Sequence, residues 1–376
     1  MKERQAILAA WKEAREAGQE VVLATVVKVE GSTYRKPGAR LLVLPDGRCV
    51  GSVSRGCIED EVARQAWIEA RKGTPRVVRF TTRSDDGEEE CAKGADSDGT
   101  VHMLLERIDA GEDNAQLALL AACHEHRRPG VLATIIASAD SSLARVGDRV
   151  IVGPDAIVSG NVGDSNLKRA LAEGASTCLL HRRSETCVLG SSNELEVSFE
   201  LVKPPTSLFV FGAGNDVMPV VSLAKELGWL VSVADARAEC AKVERFPLAD
   251  DVHVLSMDKP LAGLSIPVGA ACIVMTHSAD QDRALLRALA PLPLAYLGVL
   301  GPRRRTDRLL SESGPMTFAS SSGLHSPAGL DLGTDTPEEI ALAILAEIQA
   351  TLSDRDGRRL RDRTHPRVRV AESAAE

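Results

Sequence analysis

With 376 residues the chain is too long for one ordinary hydrophobic core, so two domains are expected. Its 45 Lys and Arg against 53 Asp and Glu leave a net charge of −8, which argues against a general binder of nucleic acid or of an anionic membrane surface. No apolar run approaches membrane-spanning length, and the eight cysteines form no Cys-x-x-Cys pair; neither a zinc ribbon nor a disulfide framework is indicated, and a cytoplasmic protein is expected.

The first segment, MKERQAILAAWKEAREAG, mixes charges with Ile7, Leu8 and Trp11 at helical spacing, which predicts an amphipathic surface helix rather than a secretion signal. A strand follows, VLATVV at 22–27, and its sequence returns as VLATII at 131–136, an offset of 131 − 22 = 109. The same offset carries Gly38 onto Gly147, Arg40 onto Arg149, Asp46 onto Asp155 and Gly51 onto Gly160. We therefore expect an N-terminal α/β domain over 1–203 with an internal duplication, its halves at about 20–70 and 129–175. Each half reads strand, irregular loop, hairpin and helix, and Pro45-Asp46-Gly47 turns the first hairpin.

The first copy carries the richer chemistry. Two glycine-rich stretches, Gly31-Ser32-Thr33-Tyr34-Arg35-Lys36-Pro37-Gly38-Ala39-Arg40 and Gly51-Ser52-Val53-Ser54-Arg55-Gly56-Cys57-Ile58-Glu59, flank small hydroxyls, cations and one thiol. Backbone amides in such turns, with Ser32, Arg35, Lys36 and Arg40, suit a phosphate or another anion. In the second copy Arg35 becomes Ala144, Cys57 becomes Asn166 and Glu59 becomes Lys168, and what differs between similar halves points to function. Cys57 opens a predicted helix, whose positive end favours a thiolate able to ligate a soft metal or carry a persulfide; a buried structural cysteine is the alternative. Cys57 and Glu59 are the candidates for chemistry, with Cys57 also the candidate metal ligand. Between the copies, Thr82 to Gly99 is polar and acidic and reads as an exposed loop.

Lys203-Pro204-Pro205 breaks the pattern, and a second domain is expected over 204–352. Residues 208–237, LFVFGAGNDVMPVVSLAKELGWLVSVADAR, give a strand, a Gly-x-Gly turn, a helix, a strand and a terminal acid, the order of a nucleotide-binding βαβ unit. Gly212 and Gly214 let amides approach an anion at the helix start, and Asp235 lies 235 − 214 = 21 residues on, the distance of an acid that accepts from ribose hydroxyls. Val217 stands where a third glycine is usual, so a tight turn that binds nothing stays open. ACIVMTH at 271–277 and LAYLGVLG at 294–301 complete a Rossmann-like, doubly wound, mostly parallel sheet. Ligands of such sheets bind at the carboxyl ends of the strands, which makes Gly212, Gly214, Asn215, Asp235, Arg237, His277, Arg303 and Arg304 the candidate binding residues. Thr336-Pro337-Glu338-Glu339 announces a last helix with Ile340, Ile344, Leu345 and Ile348 as its buried stripe, and the arginine-rich 353–376 reads as a flexible solvated tail.

Taken together, these blocks resemble the XdhC/CoxI family, maturation factors for xanthine dehydrogenase and related molybdenum hydroxylases. GSTYRKPGARLLV and GSVSRGCIE are similar to its N-terminal motifs; LFVFGAGND, GWLVSVADAR, ERFPLAD, VMTHSADQD, YLGVLGPRRR and PAGLDLGTDTPEEIALAILAEI resemble its C-terminal ones. The resemblance implies a chaperone that binds molybdenum cofactor (molybdopterin), protects it during sulfuration and hands it to an apo molybdenum hydroxylase, with a cysteine desulfurase as second partner and a homo-oligomer as the working form. It implies neither nucleic acid nor membrane as partner. Three departures stand out: Gly94-Ala95-Asp96-Ser97-Asp98-Gly99 has serine where the family commonly has a second cysteine, Arg55 occupies a usual glycine, and Asn215 a frequent histidine. Two other readings stay open: an oxidoreductase using NAD(P) on the Gly212 to Asp235 unit with His277 as acid or base, and an assembly scaffold with vestigial pockets.

Overall fold

The computed structural model describes residues 2–54, 56, 58–81, 99–190, 195–314, 316–319 and 323–362, and the chain divides into two units, Met1–Pro205 and Thr206–Glu376. The first unit is built twice on one plan. Copy one runs α1 (Lys2–Glu16), β1 (Val21–Glu30), β2 (Arg40–Val43), β3 (Cys49–Gly51), α2 (Glu59–Ala70), β4 (Arg76–Thr81) and β5 (Thr100–Ile108). Copy two repeats that order as α3 (Ala115–Glu125), β6 (Gly130–Ser138), β7 (Arg149–Val152), β8 (Val158–Gly160), α4 (Ser165–His181), β9 (Glu185–Leu189) and β10 (Leu195–Val202).

The two sheets have matching orders, β3-β2-β1-β5-β4 and β8-β7-β6-β10-β9, with antiparallel neighbours. Register repeats as well as order. Leu23 lies opposite Glu106, and Leu132, 132 − 23 = 109 residues later, lies opposite Glu200. The bulged residue is Val27 in β1 and its counterpart Ile136 in β6. The duplication is therefore longer than 20–70 and 129–175: it takes in a helix before each first strand and two strands after each helix, stretches in which shape is kept while identities are not.

Burial on both faces explains why VLATVV and VLATII run apolar without alternation. Val22, Ala24 and Val26 of β1 join the core beneath α2, whereas Leu23 joins α1 and α3 on the opposite face. In copy two Val131, Ala133 and Ile135 pack under α4, and Leu132 turns to the same α1 and α3 layer. Helix α1 is amphipathic as expected, with Ile7, Ala10 and Ala14 buried in that layer.

The copies are also tied by charge. Arg40 of β2 reaches Glu200 of β10 with two hydrogen bonds, 2.9 and 2.6 Å, and Gln116 of α3 at 3.1 Å. Its counterpart Arg149 on β7 pairs with Glu106 on β5. Each arginine thus answers the acid of the other copy. Side-chain exposures of 1% and 7% in one pair and 8% and 7% in the other place both in the interior, where an intact pair is tolerated and a broken one is not.

The second unit alternates strand and helix: β11 (Ser207–Phe211), α5 (Val217–Glu226), β12 (Leu230–Asp235), β13 (Asp251–Val254), β14 (Ala271–Val274), α6 (Ala279–Leu289), β15 (Tyr296–Val299), α7 (Arg303–Ser313), β16 (Leu324–His325) and α8 (Pro337–Leu352). The sheet is parallel, with order β13-β12-β11-β14-β15-β16. This is the dinucleotide-type order, whose crevice opens where β11 and β14 lead away in opposite directions. Helices α5 and α8 cover one face, and α6 covers the other. Thr336 accepts from the Glu339 amide and Glu339 reaches back to the Thr336 amide, closing the expected capping box on α8.

Candidate functional site

At the carboxyl edge of the parallel sheet the chain leaves β11 through Gly212, whose φ is +131°. A Cβ there would stand 2.6 Å from the Met275 carbonyl oxygen, so the neighbouring strand end demands glycine. At Gly214 a Cβ would meet Asp216 Oδ1 at 2.2 Å and lie 3.7 Å from His277 Nε2, which sets His277 beside the turn. The amides of Gly214, Asn215 and Asp216 have no hydrogen-bond partner among the described residues. Arg245 braces the turn from outside, donating to the Ala213 carbonyl at 2.8 Å and to Asn215 Oδ1 at 2.8 Å.

Asp235 ends β12 as expected but is not open to a ligand. It is 1% exposed, and its two oxygens accept from the Ala213 amide (2.7 Å), the Arg237 amide (2.8 Å) and the Arg237 guanidinium (3.1 and 2.7 Å). Four bonds fill the lone pairs of a carboxylate, so the ribose-reading role expected of Asp235 is corrected to a clamp on the glycine turn. Burial pushes its carboxyl up, but the bonds from Arg237 and Ala213 outweigh it and hold the group below the usual range. Arg237, expected to bind ligand, is the other half of that clamp.

At the ends of β14 and β15 the picture divides. Asp282 is buried, accepts from Thr276 and pairs with Arg305 at 2.5 Å, which fixes the start of α6 against α7. Burial drives its carboxyl up against those bonds. His277, Arg303 and Arg304 are exposed, and neither arginine has a partner among the described residues. Two unpaired cations begin α7, where the helix itself also favours an anion.

In the first unit the glycine-rich stretches of copy one lie together, though not as an anion cradle. Arg40 is corrected from ligand binder to interior ion-pair partner of Glu200. Arg35 places one guanidinium nitrogen 2.6 Å from both oxygens of Glu3 in α1, and Glu3 also accepts from the Ser52 amide at 2.8 Å. Glu59 accepts from Ser52 Oγ (3.0 Å), the Ser54 amide (2.8 Å) and Ser54 Oγ. Burial raises the Glu59 carboxyl, but the Ser54 and Ser52 bonds prevail and keep it ionised at lower pH than usual. Ser32 and Lys36 are exposed. Cys57, with Arg55, Cys91 and Ser97, lies outside the described residues. Among the described cysteines, burial pushes the Cys123 and Cys178 thiols up to about 12 and raises Cys49, Cys187 and Cys272 too, which makes them poor nucleophiles. No metal-holding group of His, Cys, Asp and Glu occurs among the described residues. Sequence reasoning missed Glu3, Glu200 and the brace made by Arg245. Only the last left a trace, in the ERFPLAD block.

This fold and its sites define a Rossmann-type domain that follows a duplicated antiparallel α/β domain. The XdhC Rossmann domain family matches residues 208–348, and the XdhC and CoxI family matches residues 14–81 and again 123–190, the second match displaced by the same 123 − 14 = 109. A Bacillus subtilis protein named as a probable component of xanthine dehydrogenase is 30% identical over 333 residues, covering 89% of this chain and 93% of that protein. The "Molybdenum cofactor insertion chaperone PaoD" of Escherichia coli is 24% identical over 89% of this chain and 85% of its own. A crystal structure of a xanthine dehydrogenase from Bacillus halodurans superposes with a TM-score of 0.72 at 26% identity, covering 93% of this chain and 96% of that one. The chain belongs to the XdhC and CoxI family.

Proposed function

We propose that this protein binds molybdenum cofactor and supports its insertion into a xanthine dehydrogenase-type molybdenum hydroxylase. One observation carries the reading. The second unit presents, along the ligand edge of its sheet, amides of Gly214, Asn215 and Asp216 and two cations, Arg303 and Arg304, that have no partner among the described residues, while the acid that would read a ribose is closed. That donor set fits the phosphate of a phosphorylated organic ligand better than it fits a nucleoside. The near-full-length likeness to a relative named as a molybdenum cofactor insertion chaperone supports the same reading. When bound, the cofactor supplies molybdenum redox chemistry for the acceptor enzyme; this chain's residues bind, orient and shield. Arg303, Arg304 and the turn amides hold the phosphate, and His277 stands beside the turn as a further donor.

The reading extends to sulfuration. A cysteine desulfurase supplies the sulfur, Cys57 is the thiol assigned to it, and a homo-oligomer in the cytoplasm is the working form. The test is retention of cofactor by anaerobically purified protein, read as the fluorescence of the oxidised pterin after gel filtration. Retention at micromolar protein is expected. Arg303→Ala with Arg304→Ala should weaken it by about a hundredfold or more, since two charge-assisted bonds are lost and each contributes roughly 1.5–3 kcal/mol. Cys57→Ala should lower the sulfurated fraction. Absence of retention by the unaltered protein refutes the reading.

A further inference from the structure

We infer that Asp282 and Arg305 are positioning residues that aim the cations at the ligand edge of the parallel sheet. Three arginines in a row open α7, and at about 100° per residue around a helix they cannot all face the same way. Arg303 and Arg304 are exposed and have no partner among the described residues, whereas Arg305 turns inward. Its Nη2 donates to Asp282 Oδ2 at 2.5 Å and to the Thr276 carbonyl at 3.1 Å. Asp282 also takes the Thr276 hydroxyl, and Thr276 Oγ accepts from the Ser278 amide at 3.2 Å. One buried carboxylate thus joins the first turn of α7 to the stretch after β14 that carries His277. All of these residues belong to the second unit.

Docking of α7 has other supports. Ser326 Oγ donates to the buried Thr306 hydroxyl at 2.6 Å, Leu309 is fully buried, and at the far end of the helix Arg283 pairs with Glu312 at 2.5 Å. An apolar contact of similar volume would hold the helix equally well, because taking Asp282 and Arg305 out of water costs about as much as their attraction returns. What the ion pair adds is one fixed rotation of the helix start. Arg305 reaches Asp282 and Thr276 together only when it faces inward, and that setting turns Arg303 and Arg304 outward. The pair lies at side-chain exposures of 1% for Asp282 and 22% for Arg305, so without Asp282 the arginine can swing to solvent. Removing the Asp282 charge makes the edge more positive by one; charge alone then gives a tighter hold on an anion, and lost positioning a weaker one.

The assignment rests on the cofactor reading, and two readouts separate them. In Asp282→Asn, cofactor retention should fall about tenfold, the loss of one charge-assisted bond from a misaimed arginine. Hydrogen exchange of the Ser278 and Arg305 amides should quicken about tenfold in the same variant, while the amides of Leu309 to Glu312 keep their rates. Asp282→Asn combined with Arg305→Gln is a neutral pair able to remake both bonds, and it should bring both readouts back to within about threefold of the unaltered protein. Glu312→Gln, which frees the far end of α7, should leave retention unchanged. Equal or tighter retention in Asp282→Asn, or a fall that the double substitution does not reverse, overturns the assignment. If Asp282→Asn does not fold, the double variant decides: retention within about threefold sustains the assignment and a loss of about tenfold overturns it. If the unaltered protein retains no cofactor, the functional reading fails and the ligand half of this inference fails with it; the exchange result still decides whether the pair sets the helix start.

Discussion

Removing Glu200 tests the interlock between the two copies. Glu200→Ala leaves the Arg40 guanidinium, 1% exposed at its side chain, with Gly38 and Gln116 as remaining acceptors and with its Nε already unpartnered. Arg4 belongs to the same cluster, attracted by Glu200 and repelled by Arg40, so the deletion removes an attraction from both cations. Breaking a buried pair from one side costs about 3–5 kcal/mol, against roughly 0–1 for an exposed pair such as Arg107 with Asp109. With a urea slope of about 2 kcal/mol per molar, the unfolding midpoint of the first unit should drop by about 2 M. Tryptophan fluorescence in a Trp229→Phe background reads that unit, because the remaining Trp11 and Trp67 both belong to it. Glu106→Ala should behave alike, and Arg40→Met combined with Glu200→Leu should recover most of the loss. A drop under about 0.5 M for both single substitutions would refute an interior interlock.

Three further outcomes follow from the second unit. Asp235→Asn should weaken the unit at neutral pH, and the gap from the unaltered protein should close with acid. The folded carboxyl titrates below its ordinary value, so its stabilisation is complete above about pH 4 and is lost as pH falls through the folded value; a gap constant with pH by chemical denaturation contradicts the clamp. Gly212→Ala should cost about 3 kcal/mol or more, because it combines a positive φ with a 2.6 Å approach to the Met275 carbonyl, and a thermal melt within 2 °C of the parent, about the resolution of such shifts, counts against it. Calorimetric titration with NAD should give no saturable heat, since Asp235 has no acceptor left; tight binding abolished by Asp235→Ala reinstates the oxidoreductase reading.

The parallel sheet was legible because its signals are local: a Gly-x-Gly turn between a short apolar strand and a helix, and a capping box at Thr336. The duplication was legible where identity survived at a fixed offset. The last two strands of each copy, β4, β5, β9 and β10, were not, because pairing conserves burial and register rather than letters. Arg40 is the instructive error. It lies in a glycine-rich motif, which suggested a ligand, but its partner Glu200 lies 160 positions away and no local pattern announces such a distance. A signal was nonetheless present: arginine is kept at 40 and 149 alike, and what both copies keep is scaffold. Asp235 misled for a related reason, since spacing gives an acid's position but not which hydrogens already occupy it.

The reciprocal charges carry a consequence for how such a unit is held together. A single copy cut free would expose one stranded arginine and one stranded glutamate, and two identical copies meeting about a twofold axis would neutralise each other at both places. Joining them in one polypeptide turns that encounter from a matter of dilution into a matter of tether length, leaving one half at liberty to lose the loop chemistry that the other retains.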